Sequence, residues 1–380
     1  MAKRRRVGLF FIYDESWAGG FYYLLNIILS FNHLSENDKP VLVIFYGEKN
    51  LIEKIKDTKY PFLEFLPYNK PFTFIERVYA KFKWVFTRKY FESQYSRGTA
   101  DFIFPMGTAA YIHSGSLRKI RKVYWIPDFQ HKHLPHFFSA EEIAQRDRTF
   151  TEIAGLKETL VLSSQDAKAD FLRNYPANHN KVVVVPFASV LPAFEHNDIN
   201  DLLKRYSIRQ PYFMAPNQFW AHKNHIVLLK AAVILKEKGL NFQIVFTGRE
   251  TDYRNAGYVP FLKEFVRDNG LEPIVKFLGF IERSHQLQLM KHALVIVQPS
   301  LFEGWSTVVE DTKALNQGLI LSDLSVHREQ CGDSALYFEP TDEKQLAECM
   351  VQYLQGDFSG RISAKYEERI LEFAQKILTL

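Results

Sequence analysis

Short apolar runs alternate with amphipathic stretches along the first half of the chain. A parallel strand covered on both faces is typically an unbroken apolar run, so each run predicts a buried strand. After the first run, Gly19 and Gly20 predict a loop, and residues 21–31 have the apolar spacing of a helix. The predicted strands cover residues 7–13, 41–46, 102–104, 123–126, 160–162 and 182–185.

The same alternation restarts after a segment rich in proline and polar residues. Pro186 and Pro192 punctuate the chain, and residues 188–201 are predicted to form a linker between two domains. The helices predicted beyond it cover residues 225–238, 259–269, 343–354 and 361–380. The strands predicted beyond it cover residues 212–215, 242–246, 275–279, 294–297 and 318–321.

Two successive series of strands and helices predict an α/β protein with two doubly wound parallel sheets. The chain has 380 residues, too many for one ordinary hydrophobic core, which also favours two domains. We expect an N-terminal domain over residues 1–195 and a C-terminal domain over residues 205–355. Ligands in such folds bind outside the carboxyl ends of the strands, so the cleft between the sheets is the expected site.

The composition is that of a soluble globular protein, with 47% hydrophobic and 24% charged residues. No apolar run reaches the roughly 18 residues that a membrane-spanning helix needs. The basic start is followed by Asp14 and Glu15, so we expect a solvated tail rather than a signal peptide. Cys331 and Cys349 are too few for a disulfide framework, which favours a cytoplasmic protein.

The positive charge is concentrated in one short segment. Residues 70–97 contain seven cations and two anions, so the net charge of this segment, +5, equals that of the whole chain. The segment also contains many aromatic residues, and such a patch suits an anionic membrane surface, a phosphorylated lipid or nucleic acid. The helical spacing of its apolar residues is equally typical of a core face with solvated cations opposite.

Residues 294–315 carry the most informative pattern in the chain. A predicted strand over 294–297 enters a tight turn, and a helix is expected to start near Ser306 or Thr307. Free backbone N–H groups and the helix dipole at such a start favour a diphosphate. Gly304 would let the backbone approach a ligand closely. The nearby carboxylates of Glu303 and Asp311 are poor phosphate ligands but good partners for sugar hydroxyls.

The segment from Glu303 to Asp311 resembles the E-x7-E motif of retaining GT-B glycosyltransferases, in particular glycosyltransferase family 4. The resemblance implies that Glu303 contacts the donor sugar and that Asp311, where relatives usually have Glu, holds the ribose hydroxyls. Glu310 is an alternative for the second role. The resemblance is close over residues 212–353 and loose over the first half. It implies a GT-B fold, two Rossmann-like domains facing across a cleft, with residues 362–380 packing back on the N-terminal domain.

Lys223 precedes a predicted helix, where a cation would neutralise a departing diphosphate. Relatives commonly carry an arginine at the place of Asn217, and Gln218, His222 or a cation of the N-terminal domain remain candidates for the missing charge. The other residues that the resemblance assigns to donor binding are Gly19, Gly20, Gly248, Gly279, Phe280, Ile281, Gly304, Trp305, Ser306 and Thr307.

Asp128 and His131 are the candidates for orienting the acceptor hydroxyl. Residues 123–135 resemble the strand-end segment of the family, with Asp128 and Pro135 at matching positions. Pro127 stands where many relatives carry a functional histidine. A cluster of surface histidines explains this segment equally well, and no local carboxylate or cysteine completes a zinc site.

The resemblance implies a hexosyltransferase that retains the anomeric configuration and uses a nucleoside-diphosphate sugar as substrate. No further cofactor is expected, and the strand ends lack the Asp-x-Asp signature of metal-dependent enzymes, so no metal site is expected either. The expected partners are the nucleotide sugar and a saccharide or lipid-linked acceptor, with an anionic membrane surface as a further candidate through residues 70–97.

Two other classes remain as alternatives. A nicotinamide-dependent dehydrogenase would need the G-x-G-x-x-G spacing after a strand, and the glycine pairs here do not have it. A non-catalytic nucleotide- or nucleic-acid-binding protein would use the basic aromatic segment, although no nucleic acid is expected. Salt-dependent binding to nucleic acid, compared with stabilisation by UDP or GDP, distinguishes this class from an enzyme.

Overall fold

A computed structural model describes the chain over residues 4–11, 18–47, 50–67, 95–96, 98–107, 117, 119–358 and 365–380. Most of the basic aromatic segment, residues 70–94 and 97, lies outside the described residues, so its contact with a membrane stays a prediction. None of the helices in the described ranges is long and apolar enough to cross a bilayer.

The N-terminal lobe is built on a parallel sheet with the strand order β3-β2-β1-β4-β5-β6-β7. The order reverses between β1 and β4, as expected of a doubly wound sheet with a ligand-binding crevice at that point. Its central strands are completely buried, which explains their unbroken apolar sequences. The strands are β1 Arg6–Phe11, β2 Val41–Tyr46, β3 Leu63–Pro67, β4 Phe102–Met106, β5 Lys122–Ile126, β6 Thr159–Leu162 and β7 Lys181–Val184.

The C-terminal lobe is built on a second parallel sheet with the order β10-β9-β8-β11-β12-β13. Here the order reverses between β8 and β11. The two sheets confirm the predicted fold class of two doubly wound α/β units. The strands are β8 Tyr212–Ala215, β9 Gln243–Phe246, β10 Val275–Phe277, β11 Val295–Gln298, β12 Leu319–Ser322 and β13 Leu336–Phe338.

Helices connect the strands and cover both sheets. Several begin at side chains that accept a hydrogen bond from the first turn, among them Ser139, Ser164, Asp198 and Asp342. The helices of the described residues are α1 Ala18–Phe31, α2 Asn50–Lys56, α3 Gln130–His133, α4 Ala140–Ala154, α5 Gln165–Asn174, α6 Ile199–Arg205, α7 His225–Glu237, α8 Tyr258–Asp268, α9 Arg283–His292, α10 Thr307–Ala314, α11 Ser325–Cys331, α12 Glu343–Gln355 and α13 Tyr366–Leu378.

One prediction about a connecting segment was wrong, and the end of another needs correction. Gly19 and Gly20 lie in the first turn of α1, not in a loop, because the helix already begins at Ala18. The predicted linker over residues 188–201 contains the start of α6, since Asp198 accepts hydrogen bonds from Asn200 and Asp201 and caps the helix.

The C-terminal helix α13 lies against α1 of the N-terminal lobe. Phe373 and Ile377, which are 1% and 0% exposed, join the core that α1 forms with the first sheet. At the start of α13, the Tyr366 hydroxyl donates to Glu310 at 2.6 Å and accepts from the backbone N–H of Ser189 at 2.8 Å. The last helix therefore connects the C-terminal lobe to the segment between the lobes.

Replacing Phe373 with alanine tests this packing. The variant leaves a cavity between α13 and α1, and we expect a loss of about 3–5 kcal/mol in the free energy of unfolding, measured with urea. Glu372→Ala, at an exposed position of the same helix, serves as the control and should stay within about 0.5 kcal/mol of wild type. Equal effects of the two substitutions would contradict the placement of α13.

Candidate active site

A cavity of about 530 Å³ lies between the two lobes. Its walls are formed by segments that follow β5, β8, β9 and β11, so it lies at the carboxyl ends of both sheets, as expected for this topology. The predicted site residues that line it are Asp128, Asn217, Gln218, Lys223, Gly248, Phe280, Ile281, Glu303, Gly304, Trp305, Ser306, Thr307 and Asp311. Gly20, Gly279 and His131 are not among the described residues that line it.

An ion pair between Lys223 and Glu303 lies in the cavity wall. The Lys223 Nζ atom donates to Glu303 Oε1 at 2.7 Å, and the two side chains are 18% and 8% exposed. Gln298 Nε2 and Ser300 Oγ also donate to Oε1, at 2.6 and 2.7 Å. The other oxygen, Oε2, accepts no hydrogen bond from the described residues and remains available to a ligand.

The Glu303 carboxylate is strongly held in its charged form. Burial raises the pKa of this carboxyl, but the charges of Lys223 and His327 and the hydrogen bonds from Lys223 and Ser300 outweigh burial. The pKa is therefore lowered to about 2. Glu303 is an acceptor of hydrogen bonds at any physiological pH, which suits sugar hydroxyls.

Lys223 belongs to a rigid turn at the end of β8. The next residue, Asn224, adopts the left-handed conformation with φ of 55°, which asparagine tolerates better than most residues. Its side-chain amide donates to the carbonyls of Pro299 and Pro340 at 3.1 and 2.8 Å. The first bond attaches the turn to the loop after β11, where Glu303 lies, and the second attaches it to the segment after β13. The first explains how two residues 80 positions apart meet.

Helix α10 begins beside this ion pair. Its N-cap is Ser306, whose side chain accepts from the backbone N–H of Val309, confirming the expected helix start. Thr307 and Val308, in the first turn, line the cavity. N–H groups at a helix start have no partner within the helix, so this wall offers donors to an anion.

Asp311, not Glu310, faces the cavity. Asp311 is 2% exposed, and its Oδ2 pairs with Arg283 at 2.6 Å, whereas its buried Oδ1 has no hydrogen-bond partner in the described part of the chain. Glu310 is completely buried and pairs with Lys313 at 3.1 Å and with Tyr366. Of the two acids that the sequence left open, Asp311 is the one among the described residues that line the cavity, whereas Glu310 holds the C-terminal helix.

The place of the missing arginine is occupied by a buried amide. Asn217 is 4% exposed, lines the cavity, and has a side-chain nitrogen without a partner. Next to it, the side-chain oxygen Oε1 of Gln218 accepts from the Trp220 indole N–H at 2.8 Å. Gly248 packs on the Asn217 backbone, where a Cβ atom would lie 2.2 Å from the carbonyl oxygen. Any larger residue at position 248 would displace this wall.

The loop after β10 forms a further part of the cavity wall. Gly279 has a positive φ of 66° and turns the chain, and its carbonyl accepts from the backbone N–H of Gly248 at 2.9 Å. Phe280 and Ile281 then line the cavity, and the Phe280 ring is 67% exposed. An exposed ring at a cavity rim offers a flat apolar surface.

Of the two candidates in the N-terminal lobe, Asp128 reaches the cavity and His131 does not. Asp128 pairs with Arg146 at 2.5 Å; burial raises the pKa of the carboxyl, but the Arg146 charge and the Gln130 N–H bring it below the ordinary value. The His131 side chain is completely buried, with Nε2 3.0 Å from Asp147. Its ring packs against Phe150, 5.5 Å between centroids, so it contributes to the core of the lobe.

Gly304 and Trp305 make contacts between the lobes, a role that the sequence did not indicate. A Cβ atom on Gly304 would lie 2.3 Å from the carbonyl oxygen of Pro127, so the close approach that requires glycine is to this backbone rather than to a ligand. The Trp305 indole donates to the carbonyl of Phe187 at 3.1 Å and packs into the N-terminal core.

Three cavity-lining arginines were missed by sequence reasoning. Arg146 pairs with Asp128, Arg254 with Glu142 at 3.2 Å, and Arg283 with Asp311. They come from helices and a loop outside the recognised motifs, and only the charge complementarity with a predicted acid could have indicated them. Within the described residues, no group of three or more His, Cys, Asp or Glu side chains is placed to hold a metal ion.

Residues 203–376 match the family model described as glycosyl transferases group 1. This part of the chain is therefore a glycosyl transferases group 1 domain, which confirms the coarser part of the resemblance. It contains every cavity-lining residue contributed by the C-terminal lobe, including Lys223, Glu303 and Asp311.

Named relatives agree with this assignment. The chain is 37% identical over 115 residues to the putative glycosyltransferase EpsF of Bacillus subtilis, covering 30% of this chain and 28% of the relative. It is 26% identical over 183 residues to the O-antigen chain mannosyltransferase RfbU of Salmonella typhimurium, covering 48% and 46%. The matched regions span 28% to 58% of the length of the curated relatives.

The whole chain has the GT-B fold. The crystal structure of Anabaena Alr3699/HepE in complex with UDP and glucose superposes with a TM-score of 0.66, covering 99% of this chain and 98% of that one. The sequences are only 16% identical, so this likeness concerns the fold alone.

Replacing Lys223 with methionine tests the electrostatics of the site. Without the cation, burial dominates at Glu303 and should raise its pKa above the ordinary value. A carboxyl with a raised folded-state pKa stabilises the fold at low pH and loses that contribution as pH rises through the pKa. The thermal unfolding midpoint should fall further below wild type at pH 7 than at pH 4. At pH 7 the free energy of unfolding should decrease by about 3–5 kcal/mol.

Lys230→Met, at an exposed position of α7, is the matched control for this comparison. It should change the midpoint little, and by the same amount at both pH values. If Lys223→Met lowers the unfolding midpoint by the same amount at pH 4 and at pH 7, the result would contradict the assigned ion pair.

Proposed function

We propose that this protein is a retaining glycosyltransferase of the family 4 type that transfers a hexose from a nucleoside-diphosphate sugar to a saccharide or lipid-linked acceptor. The observation that carries the proposal is the Lys223–Glu303 pair in the cavity wall, beside the start of α10. The group 1 domain, the mannosyltransferase RfbU and the UDP and glucose of the HepE complex support it.

The donor is bound by the C-terminal lobe. The diphosphate lies at the first turn of α10 and beside Lys223, which neutralises the charge that develops as the bond to the sugar breaks. The ribose hydroxyls donate to the unpartnered Oδ1 of Asp311, and the base lies toward Phe280 and Ile281. Glu303 accepts hydrogen bonds from the hexose and positions it; it does not act as a nucleophile.

The acceptor approaches from the N-terminal lobe, where Asp128 faces the same cavity. The bond between the anomeric carbon and the diphosphate breaks with its electron pair going to the phosphate oxygen. The acceptor hydroxyl then attacks the oxocarbenium-like sugar from the face that the diphosphate leaves, and its proton passes to the departing diphosphate oxygen. Asp128 has a lowered pKa because of Arg146, so it orients the acceptor hydroxyl and is a weak base.

We propose that the reaction needs no divalent cation, since Lys223 and α10 supply positive charge where the diphosphate leaves. We also place the protein in the cytoplasm, with residues 70–97 contacting an anionic membrane that carries a lipid-linked acceptor. Transfer in the presence of EDTA tests the first statement, and co-sedimentation with anionic vesicles tests the second.

Screening UDP-, GDP-, ADP- and dTDP-sugars by thermal stabilisation and by nucleotide release identifies the donor. Glu303→Gln should then lower kcat by about 100-fold or more, the usual cost of losing a preorganised polar contact to the transition state. Because Lys223 loses its carboxylate partner, the affinity for the free nucleoside diphosphate should stay equal or increase. Wild-type turnover by Glu303→Gln would overturn the proposed role.

Replacing Asp311 with asparagine tests the ribose contact. Wild type should bind UDP, or the diphosphate found by the screen, more tightly than its 2′,3′-dideoxy form by about 1.5–3 kcal/mol, because hydrogen bonds to a charged carboxylate are lost. Asp311→Asn should reduce this difference to below about 1 kcal/mol. Isothermal titration of both ligands with both proteins measures it, and an unchanged difference would contradict the assignment.

A further inference from the structure

His222 is the histidine that lines the cavity, and the proposed function does not yet use it. It immediately precedes Lys223 in the turn after β8, and its backbone carbonyl accepts from the N–H of Leu301 at 2.8 Å. The other end of the turn is fixed as well, since the N–H of Ala221 donates to Asp252 at 2.9 Å. The imidazole is therefore attached to a rigid part of the wall.

The imidazole lines the same cavity as a carboxylate from each lobe. Both Glu303, from the C-terminal lobe, and Asp128, from the N-terminal lobe, act on its charge, together with Lys223 and Arg254. Neither ring nitrogen has a hydrogen-bond partner among the described residues. In contrast, His131 and His133 are bonded to carboxylates of their own lobe. A polar ring at this junction, without a protein partner, is available to a substrate.

The protonation state of the His222 ring decides which chemical group of a substrate it can bind. Burial, and then the charge of Lys223, lowers the pKa of His222 to about 3, so the ring is neutral at physiological pH. A neutral imidazole has one N–H donor and one lone-pair acceptor. A phosphate offers acceptors and favours cations, whereas a hydroxyl both donates and accepts. The ring thus suits a hydroxyl, and it does not replace the positive charge missing at Asn217.

We propose that His222 binds a hydroxyl of the transferred hexose, next to Glu303, and so orients the sugar for transfer. This inference rests on the proposed function. It assigns the sugar to two groups from different segments, His222 from the turn after β8 and Glu303 from the loop after β11. The neutral ring favours the hexose over the diphosphate. The position of His222 next to Lys223 in the turn, together with the effect of the Glu303 charge on its ring, favours the hexose over the nucleoside.

Three variants test the role of His222. His222→Phe keeps a planar ring but removes both hydrogen-bonding atoms, and His222→Asn restores one donor group and one acceptor. His33→Phe, at an exposed position after α1, is the control. Release of UDP from UDP-glucose, and of GDP from GDP-mannose, gives kcat/KM, and titration with UDP and GDP gives the affinity for the leaving diphosphate.

We expect His222→Phe to lower kcat/KM about tenfold or more, as for a lost hydrogen bond, with the dissociation constant for the diphosphate unchanged within about twofold. His222→Asn should recover part of the loss, and His33→Phe should match wild type. Wild-type kcat/KM in His222→Phe, or an equal loss of diphosphate affinity, would overturn the role of His222 alone. Failure of wild type to bind or turn over any sugar nucleotide would overturn the proposed function and this inference together.

Discussion

The candidate site depends on one partly buried ion pair, Lys223 with Glu303. Charges removed from water are costly unless they are paired and hydrogen-bonded, and here Gln298 and Ser300 complete the shell around Glu303 Oε1. The pair joins the turn after β8 to the loop after β11. It also leaves Oε2 without a hydrogen bond from the described residues. The same logic holds for the other cations that line the cavity, the arginines paired with Asp128, Glu142 and Asp311. The described wall is therefore nearly charge-balanced before a substrate enters. At the start of α10, the N–H groups of Ser306 and Val309 are bonded, and those of Thr307 and Val308 have no acceptor among the described residues.

The segment that carries Glu303 also sets how the lobes meet. Gly304 lies against the backbone of Pro127, and the Trp305 indole bonds to Phe187. On another side of the interface, the Glu329 carboxylate accepts from the N–H groups of Gln165 and Asp166 at the start of α5. A carboxylate is favoured at a helix start for the same reason as a phosphate. Donor contacts and lobe contacts thus come from adjacent residues, and a change in one is expected to affect the other.

Much of the fold follows from the sequence, because central parallel strands are continuous apolar runs. The edge strands β3 and β13 were missed because they are only partly buried. In addition, β3 carries Glu64, and β13 has only three residues. The E-x7-E pattern located Glu303 and Asp311 correctly in the cavity wall, but it did not separate Asp311 from Glu310. That distinction needed the position of Tyr366 in the last helix. His131 was misplaced because sequence shows the spacing of histidines but not the buried partner, Asp147, which holds the ring inside the lobe.

The most direct test of the central claim is a crystal structure of the protein with the sugar nucleotide selected by the binding screen. The account predicts the diphosphate at the first turn of α10, with Lys223 Nζ near its oxygens and hexose hydroxyls within hydrogen-bonding distance, about 2.6–3.2 Å, of Glu303. A sugar nucleotide bound outside the cleft, or one whose hexose points away from Glu303, would contradict it.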